Sequence, residues 1–389
     1  MAYVAVTGGR EAVKNAAVLL ERNRAAGDGD VGLDALEKRL GLLIDRVMSE
    51  AGLYAPRCAA LALRQSEGSP EEAVFLLRAY RSTLTRAYKS LPLDCEDMTL
   101  HRRISAAFKD IPGGQFLGAT YDYTHRLLDF EPPEARAGGG GGGELSHEAP
   151  VRAPRVTREL RREGLIAEKD GGGAEPRDIT MDPLSFPAER SARLQTLTRA
   201  DTGFLSGLAY AGIRGFGPSH PTVGELRTGE LEVLLVHPLF EGETISAGVI
   251  VVTEVEALFS EESAEAKREA RDDPLLRMEA GQGDKADKSS AGLSLGMGYG
   301  LVLGRNDTKA IAMSVMDYFL SSPGDGILQN QEFVLLHGDC LEMNGFISHL
   351  KLPHYVTFQS KLDRVRRGSP EGTGSAGSNG NESGSLPEL

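Results

Sequence analysis

Two histidines near the C-terminal end of the sequence have a spacing that suits metal binding. His349 and His354 lie five residues apart, and Pro353 between them predicts a turn or an extended segment in place of an uninterrupted helix. Such a segment can bring two imidazoles toward one point, and neutral imidazole is a common ligand of zinc and similar ions. His337 and Asp339 could add a ligand or orient one. Two ordinary loop histidines are the alternative interpretation.

A second group of polar residues surrounds the glycine-rich sequence of residues 108–130, which contains no P-loop pattern. Its prolines and glycines predict a bend with exposed backbone N–H groups that can approach a ligand closely. Lys109 and Arg126 are candidate contacts for phosphate, whereas Asp122 or His125 could transfer a proton. A structural loop that packs its tyrosines on a neighbouring helix is the alternative.

A third group lies in residues 214–230, where glycines and prolines predict a loop followed by a strand. Arg214 and Arg227 offer planar guanidinium groups, which can hold a phosphate at two points. His220 and Glu225 are further candidates for proton transfer. The GxGxxG pattern is absent, so a dinucleotide-binding Rossmann site is not supported. An ordinary glycine-rich connector is the alternative.

The elements that must position these residues are helical first and mixed later. Periodic apolar residues predict helices over Glu11–Arg24, 33–47 and 308–320. Another helix is predicted to begin at Ser69, with Pro70 in its first turn and Glu72 reaching back to the cap. Its predicted buried face holds Ala73, Leu76, Leu77, Tyr80 and Leu84.

Short runs of β-branched and aliphatic residues predict strands. They cover Leu231–Val236, Ile245–Val252, Gly298–Gly304 and Glu332–His337, the first two as a hairpin. The predicted fold class is therefore α+β, with a helical N-terminal region followed by a mixed α/β region that has short antiparallel strands.

The composition also predicts where the chain is divided. We expect a mainly helical region over 1–130, a flexible Gly/Pro-rich linker over 131–155 and a mixed α/β region over 156–366. The last of these carries a mobile acidic insert at 260–291, and a disordered tail follows at 367–389. The linker, insert and tail lack the residue types of a site, so function is expected outside them.

Length, charge and cysteine content exclude several classes of protein. A chain of 389 residues favours two domains, and its longest apolar stretches are too short to span a membrane. Its net charge of −13 argues against a nucleic-acid partner. Three widely separated cysteines, and an N-terminus without a basic leader, favour a reducing cytoplasm. They also cannot ligate an iron–sulfur cluster within this chain.

Several long stretches together carry a family resemblance. They are YVAVTGGREAV, AVFLLRAYRSTL, RRISAAFKDIPGGQFLGATYDYTHRLLDF, SARLQTLTRADTGFLSGLAY, RGFGPSHPTVGELRTGE, GYGLVLG with KAIAM, and EFVLLHGD followed by GFISHLKLPHYVTFQ. In this order, over most of residues 3–366, the chain resembles the PhnI family, the I subunits of the bacterial carbon–phosphorus lyase core complex. It departs from the family at the glycine run, the acidic insert and the tail, where no site is predicted.

The resemblance implies a role in phosphonate catabolism. Family members resemble purine nucleosidases and, alone, are associated with cleaving the base from ATP or GTP. With the G, H and L subunits, methylphosphonate replaces water at the ribose C1′ of the substrate ATP. The products are adenine and ribose 1-methylphosphonate 5-triphosphate. The later radical cleavage of the C–P bond belongs to the J subunit, which carries the iron–sulfur cluster.

The resemblance also implies partners and a metal. The expected partners are subunits G, H and J and the ATPase-like subunits K and L, in a core complex with two copies each of G, H, I and J. His349 and His354 match the family's histidine pair, which lines a metal-bearing pocket at the contact with J. Zinc or another divalent ion is therefore expected at a shared interface. We expect this pair to serve the later chemistry there rather than base release.

We assign the remaining roles by residue type. Base release at C1′ needs proton donors, a negative charge near the ribosyl cation and cations that bind the triphosphate. The candidate catalytic residues are Asp122, His125, Glu225 and His220, and the candidate phosphate contacts are Lys109, Arg126, Arg214 and Arg227. Two alternatives remain open. One is a scaffold that completes a J-centred site and merely tolerates nucleotide, and the other is a free-standing metal hydrolase.

Overall fold

The computed structural model describes residues 9–25, 31–128, 130, 152–166, 175–216, 220–262 and 293–368. Most of the predicted linker, acidic insert and tail lies outside these residues. The chain divides into two units, one of residues 1–30 with 344–389 and the other of residues 31–343. Helices and an antiparallel sheet are both present, which confirms the α+β class.

The helices are named here in chain order. They are α1 (Gly9–Ala25), α2 (Leu33–Arg39), α3 (Gly41–Ala51), α4 (Pro56–Gln65), α5 (Pro70–Thr83), α6 (Thr157–Arg162), α7 (Arg190–Arg199), α8 (Thr202–Ala211), α9 (Asp307–Ser321), α10 (Gln331–Leu336), α11 (Cys340–Ser348) and α12 (Tyr355–Gly368). Short 3-10 helices cover Cys95–Asp97 and His349–Lys351, and one π-helical turn covers Gly212–Phe216.

The predicted start of α5 is confirmed, and part of its predicted buried face is not. Ser69 caps the helix by accepting a 3.4 Å hydrogen bond from the Glu72 backbone N–H. Ala73 and Leu77 are buried, but Tyr80 and Leu84 are exposed. The periodicity extended one turn too far, because α5 ends at Thr83 and its last turn is not covered by its neighbours. The predicted helix over 33–47 is also interrupted, at Leu40, between α2 and α3.

The sheet has the order β1 (Thr99–Ile104), β2 (Thr222–Val236), β3 (Thr244–Glu262) and β4 (Leu293–Leu303), and every neighbouring pair is antiparallel. The predicted hairpin is confirmed as β2 and β3, although both strands are much longer than the apolar runs that predicted them. The missed portions alternate apolar and charged residues, so they lack the continuous apolar signal.

One face of this sheet is apolar and packs against α9. Leu226, Val255 and Phe259 belong to the same buried cluster as the inward side of that helix. The approach is close, because a Cβ at Gly298 would lie 1.9 Å from the Ser314 carbonyl oxygen, and one at Gly300 would lie 2.1 Å from that of Ala310. Only glycine leaves room for backbone this near.

The predicted strand over residues 332–337 is wrong, since this segment forms the helix α10. Asn330 caps it, because its side chain accepts a 2.9 Å hydrogen bond from the Phe333 backbone N–H. A short apolar run cannot distinguish a strand from one buried side of a helix. The asparagine before the run was the signal that favoured a helix.

The unit formed by the two ends of the chain is described over residues 9–25 and 344–368. Neither α1 nor α12 buries any residue. In the described part of the chain, no helix combines the length and the apolar character that crossing a membrane requires.

Candidate functional site

The second face of the sheet carries buried charges where the first carries hydrocarbon. Because side chains alternate between the two faces of a strand, five charged side chains lie on this second face. They are Arg103 of β1, Glu225 and Arg227 of β2, and Glu254 and Glu256 of β3. Each of the five is at most 2% exposed, and we call them the buried charge layer. The register places Arg227 opposite both Arg103 and Glu254, and Glu225 opposite Glu256. Buried charges must be paired, so the partners of each one matter.

Glu225 has a donor on each carboxylate oxygen. Arg103 Nε donates to Oε1 at 2.6 Å, and the Val156 backbone N–H donates to Oε2 at 2.8 Å. Arg103 also donates to the carbonyl oxygen of Pro154 at 2.9 Å. The carboxylate therefore joins the sheet to the segment 152–166, and its assignment to catalysis stays a prediction.

Arg227 is less completely paired. Its Nη2 donates to the Ala153 carbonyl oxygen at 3.1 Å, and Nη1 lies 3.6 Å from Glu254 Oε2 without hydrogen-bond geometry. Nε and Nη1 are buried and have no hydrogen-bond partner within the described ranges. Glu254 is shared with Arg155 and with the Tyr299 hydroxyl, which donates to it at 2.8 Å. Burial, reinforced by Glu254, raises the pKa of Tyr299 well above its ordinary value.

The segment 152–166 covers the buried charge layer through polar contacts. Arg161 Nη2 donates to Glu256 at 2.8 Å, and the Thr157 hydroxyl donates to the same carboxylate. Beside this segment is an open cavity of about 500 Å³. Its lining consists of Asp94, Glu96, Arg155, Arg158, Arg161 and Arg162. A cavity of this size with four guanidinium groups on its walls suits a polyanion.

Asp122 lies on an exposed loop but is anchored to the sheet. Arg102, whose side chain is nearly buried, donates from Nη2 to Asp122 at 2.6 Å, and its Nε lies 3.0 Å from Asp307. The Thr120 side chain and then Arg102 hold the pKa of Asp122 below its ordinary value. This carboxylate is therefore ionised at neutral pH.

The other predicted residues of the loop are exposed. Arg126 Nη2 lies 3.9 Å from Asp122, so the structure brings these two together. Lys109 and His125 are exposed, and no side-chain contact joins either to Asp122 in the described part of the loop.

Arg214 and His220 flank residues outside the described ranges. Arg214 is exposed in the π-helical turn, and His220 Nδ1 lies 2.8 Å from the Pro221 carbonyl oxygen. Neither of them contacts the buried Glu225 and Arg227 among the described residues, so the third sequence group is divided between the surface and the sheet interior.

His349 is half-buried and His354 is exposed, and their ring centroids are 5.5 Å apart. Their Nδ1 atoms donate to the carbonyl oxygens of Phe346 and Leu352, which leaves each Nε2 with its lone pair. Two imidazoles on one tetrahedral ion have centroids roughly 5 Å apart, because each bound nitrogen lies about 2 Å from the metal. The separation of the two rings is compatible with a shared ion, although no group of three or more suitable side chains exists over the described ranges.

A family model described as bacterial phosphonate metabolism protein (PhnI) matches residues 2–371. The chain belongs to the PhnI family. It is 42% identical to a protein of Escherichia coli strain K12, over 94% of this chain and 98% of that one, named alpha-D-ribose 1-methylphosphonate 5-triphosphate synthase subunit PhnI. A Rhizobium meliloti protein of the same name is also 42% identical, over 94% of both chains. So is a putative C-P lyase subunit, HtxH, of Stutzerimonas stutzeri, over 94% of this chain and 95% of that one.

Membership of the PhnI family confirms the resemblance drawn from the sequence and a role in phosphonate catabolism. Sequence reasoning nevertheless missed the arginines of 152–166. Their signal was regular spacing, because arginine recurs at 152, 155, 158, 161 and 162. The first residues of the segment 152–166 fall in the predicted linker over 131–155, because the glycine run before them dominates the local composition.

Proposed function

We propose that this chain is the I subunit of a carbon–phosphorus lyase complex. With partner subunits, it displaces adenine from ATP by methylphosphonate and forms ribose 1-methylphosphonate 5-triphosphate. The observation that carries the proposal is 42% identity, over nearly the full length of both chains, to a relative named as a subunit of that synthase. In this reaction the bond from C1′ to the base breaks, and one from C1′ to a phosphonate oxygen forms.

The residues offer the groups that such a displacement needs. Asp122 is ionised and exposed, which suits a carboxylate that stabilises a developing ribosyl cation. His125 and His220 are exposed, so each is free to protonate the departing base. Glu225 is the second carboxylate candidate, although it must exchange a present partner for substrate to act.

Several cations support binding of the triphosphate. Lys109, Arg126 and Arg214 are exposed, and Arg227 has N–H groups without a hydrogen-bond partner among the described residues. The arginine-lined cavity adds Arg158 and Arg162, whose carboxylate partners among the described residues are the half-exposed Glu96 and the exposed Glu159. Exposed pairs are worth about 1 kcal/mol or less, so a phosphate can replace them at small cost.

We assign to His349 and His354 a divalent ion, such as zinc, at an interface shared with the J subunit. Both Nε2 atoms keep lone pairs, and the remaining ligands would come from the partner or the substrate. When bound, such an ion acts as a Lewis acid toward phosphoryl oxygens. The chain itself orients the two rings through the Phe346 and Leu352 carbonyls.

The surface around these histidines supports assembly with other subunits. Exposed apolar residues are concentrated there: Phe346, Ile347, Leu350, Leu352, Tyr355, Val356, Phe358 and Val365. A solitary protein rarely leaves such a set open to water. We therefore propose partner subunits G, H, J, K and L, two copies each of G, H, I and J, and a cytoplasmic location.

A scaffold without its own catalysis is the second candidate. It is favoured by one observation, the burial of Glu225 and Arg227 in contacts that stabilise the fold. A free-standing metal hydrolase has less support, because such a site needs at least three ligands and the described residues hold no group of three or more suitable side chains.

Purified chain, alone and with its partners, incubated with ATP and methylphosphonate, separates these candidates. Chromatography should detect free adenine, and Asp122→Asn should lower its release about a hundredfold or more. Lys89→Gln, at an exposed lysine paired with Glu175, is the control that should leave release unchanged. No adenine from the assembled complex would overturn the enzymatic proposal, whereas unchanged release by Asp122→Asn would remove Asp122 from it.

A further inference from the structure

Arg199 is a cation that the rest of its surroundings leave unsatisfied. It is the last residue of α7, and its Nε is buried without a hydrogen-bond partner. Within the described ranges, no hydrogen bond or ion pair reaches its guanidinium group. A buried donor without an acceptor is costly, so native structures usually supply a partner or a ligand.

The cations beside Arg199 increase the excess of positive charge. Arg81 donates to the Ala51 and Gly52 carbonyl oxygens, at 2.7 and 3.2 Å, and has no carboxylate among its described partners. Arg81 and Arg199 flank Gly52, because a Cβ there would lie 3.0 Å from Arg81 Nη1 and 3.3 Å from Arg199 Cδ. Burial, followed by the charges of Arg78 and Arg81, lowers the pKa of Arg199 to about 10 in spite of Asp339 and Asp178.

Arg199 lines a small cavity of about 170 Å³. Thr196, Asp339 and Glu342 share the lining with aliphatic residues that include Leu184 and Leu335. Pockets for drug-sized ligands begin at about 300 Å³, so this one is too small for a whole nucleotide. It is large enough for a single small ion.

The two carboxylates on the lining differ in what they can neutralise. Asp339 is paired with Arg78, and that cation together with backbone N–H groups holds the Asp339 pKa low even though burial opposes ionisation. Glu342 is exposed, and no described residue forms an ion pair with it. Asp339 attracts Arg199 but forms its ion pair with Arg78, and among the described residues neither carboxylate forms an ion pair with Arg199. The Arg199 guanidinium group therefore keeps N–H donors for an anion.

We propose that Arg199 and this cavity bind one tetrahedral oxyanion, a phosphate or phosphonate group. The guanidinium fork offers parallel N–H donors to two oxygens of such a group. The aliphatic part of the lining accommodates a substituent as small as methyl. This site does not depend on the proposed base displacement, because it requires only binding.

Titration calorimetry of the full chain at low ionic strength tests the site, with inorganic phosphate, methylphosphonate and ATP as separate titrants. Phosphate and methylphosphonate should both bind, and Arg199→Gln should weaken their binding about tenfold or more. Arg57→Gln is the matched control, since Arg57 is an exposed arginine paired with Asp34, and its affinity should not change. ATP that competes for the same site identifies a triphosphate as the source of the group, and ATP that does not compete identifies a free anion.

A second variant keeps the proposal testable if Arg199→Gln does not fold. Glu342→Gln changes only an exposed side chain and removes a repelling charge from the cavity, so it should tighten phosphate binding about two- to threefold. Absence of binding by the wild-type chain would overturn the site. So would equal affinity in Arg199→Gln, or unchanged affinity in Glu342→Gln.

Discussion

Arg103 and Glu225 form an ion pair in which Nε donates to Oε1 at 2.6 Å, and both side chains are excluded from solvent. They come from adjacent strands and point to the face that the segment 152–166 covers. The attraction between the two charges offsets the cost of removing each from water, a cost that would oppose burying either one alone. The stability of this face therefore depends on matching partners more than on hydrocarbon.

Removing one partner of this pair should be costly. Glu225→Gln leaves the Arg103 guanidinium buried beside a neutral group, and we expect a loss of about 3–5 kcal/mol in the free energy of unfolding. Urea unfolding followed by circular dichroism measures it. Glu96→Gln removes a half-exposed partner of the exposed Arg158 and should cost about 1 kcal/mol or less. Equal losses in the two variants would contradict the role given to burial.

Lys309 should make stability depend on pH. It is 1% exposed, its Nζ has no hydrogen-bond partner among the described residues, and burial lowers its pKa from 10.5 to about 8 in spite of Glu50 and Asp201. Between these values the unfolded chain binds more protons than the folded chain, so stability rises as pH increases. Below pH 8 both states are protonated and the contribution is constant.

The matched comparison is Lys309→Met against Lys89→Met, which changes an exposed lysine. Between pH 7 and 10.5 the wild type should gain about 3 kcal/mol relative to Lys309→Met, as measured by urea unfolding at several pH values. Lys89→Met should follow the wild type. A difference between wild type and Lys309→Met that does not change with pH would contradict the assignment.

The contact between β4 and α9 should not tolerate a side chain. Gly298→Ala places a Cβ 1.9 Å from the Ser314 carbonyl oxygen, so the helix must move, and we expect a loss of about 3 kcal/mol or more. Gly207→Ala, within α8 with nothing inside 4 Å of the new Cβ, should instead stabilise by up to about 1 kcal/mol. Thermal unfolding measures both, and a neutral Gly298→Ala would refute the close packing.

The histidine pair should control metal content. His349→Ala removes one of two imidazoles, and zinc in the purified complex should fall by about tenfold or more at equal free metal. Elemental analysis after dialysis against buffered zinc measures the change. His337→Ala is the control, because this exposed histidine contacts only the Phe333 ring and carbonyl among the described residues. Unchanged zinc in His349→Ala would remove the pair from the metal site.

The hairpin, the helix cap at Ser69 and the proximity of the two histidine rings were predictable because each depends on residues close in sequence, whereas the metal assigned to those rings stays a prediction. The buried charge layer was not predictable from the sequence. Glu225 and Arg227 have the residue types of a surface, and their partners on β1, β3 and the segment 152–166 are distant in the chain. The lack of a partner for Arg199 was not predictable either, for the opposite reason. Sequence cannot reveal a cation that lacks a partner, because every possible partner must first be placed.

Arg102 has a consequence for the loop that it holds. Besides Asp122, it donates to the Leu117 carbonyl oxygen at 2.7 Å, so a single side chain from β1 fixes two points of the loop. The position of the Asp122 carboxylate is therefore fixed by a side chain of strand β1. A substitution at Arg102 would make that carboxylate, twenty residues away in sequence, less well ordered.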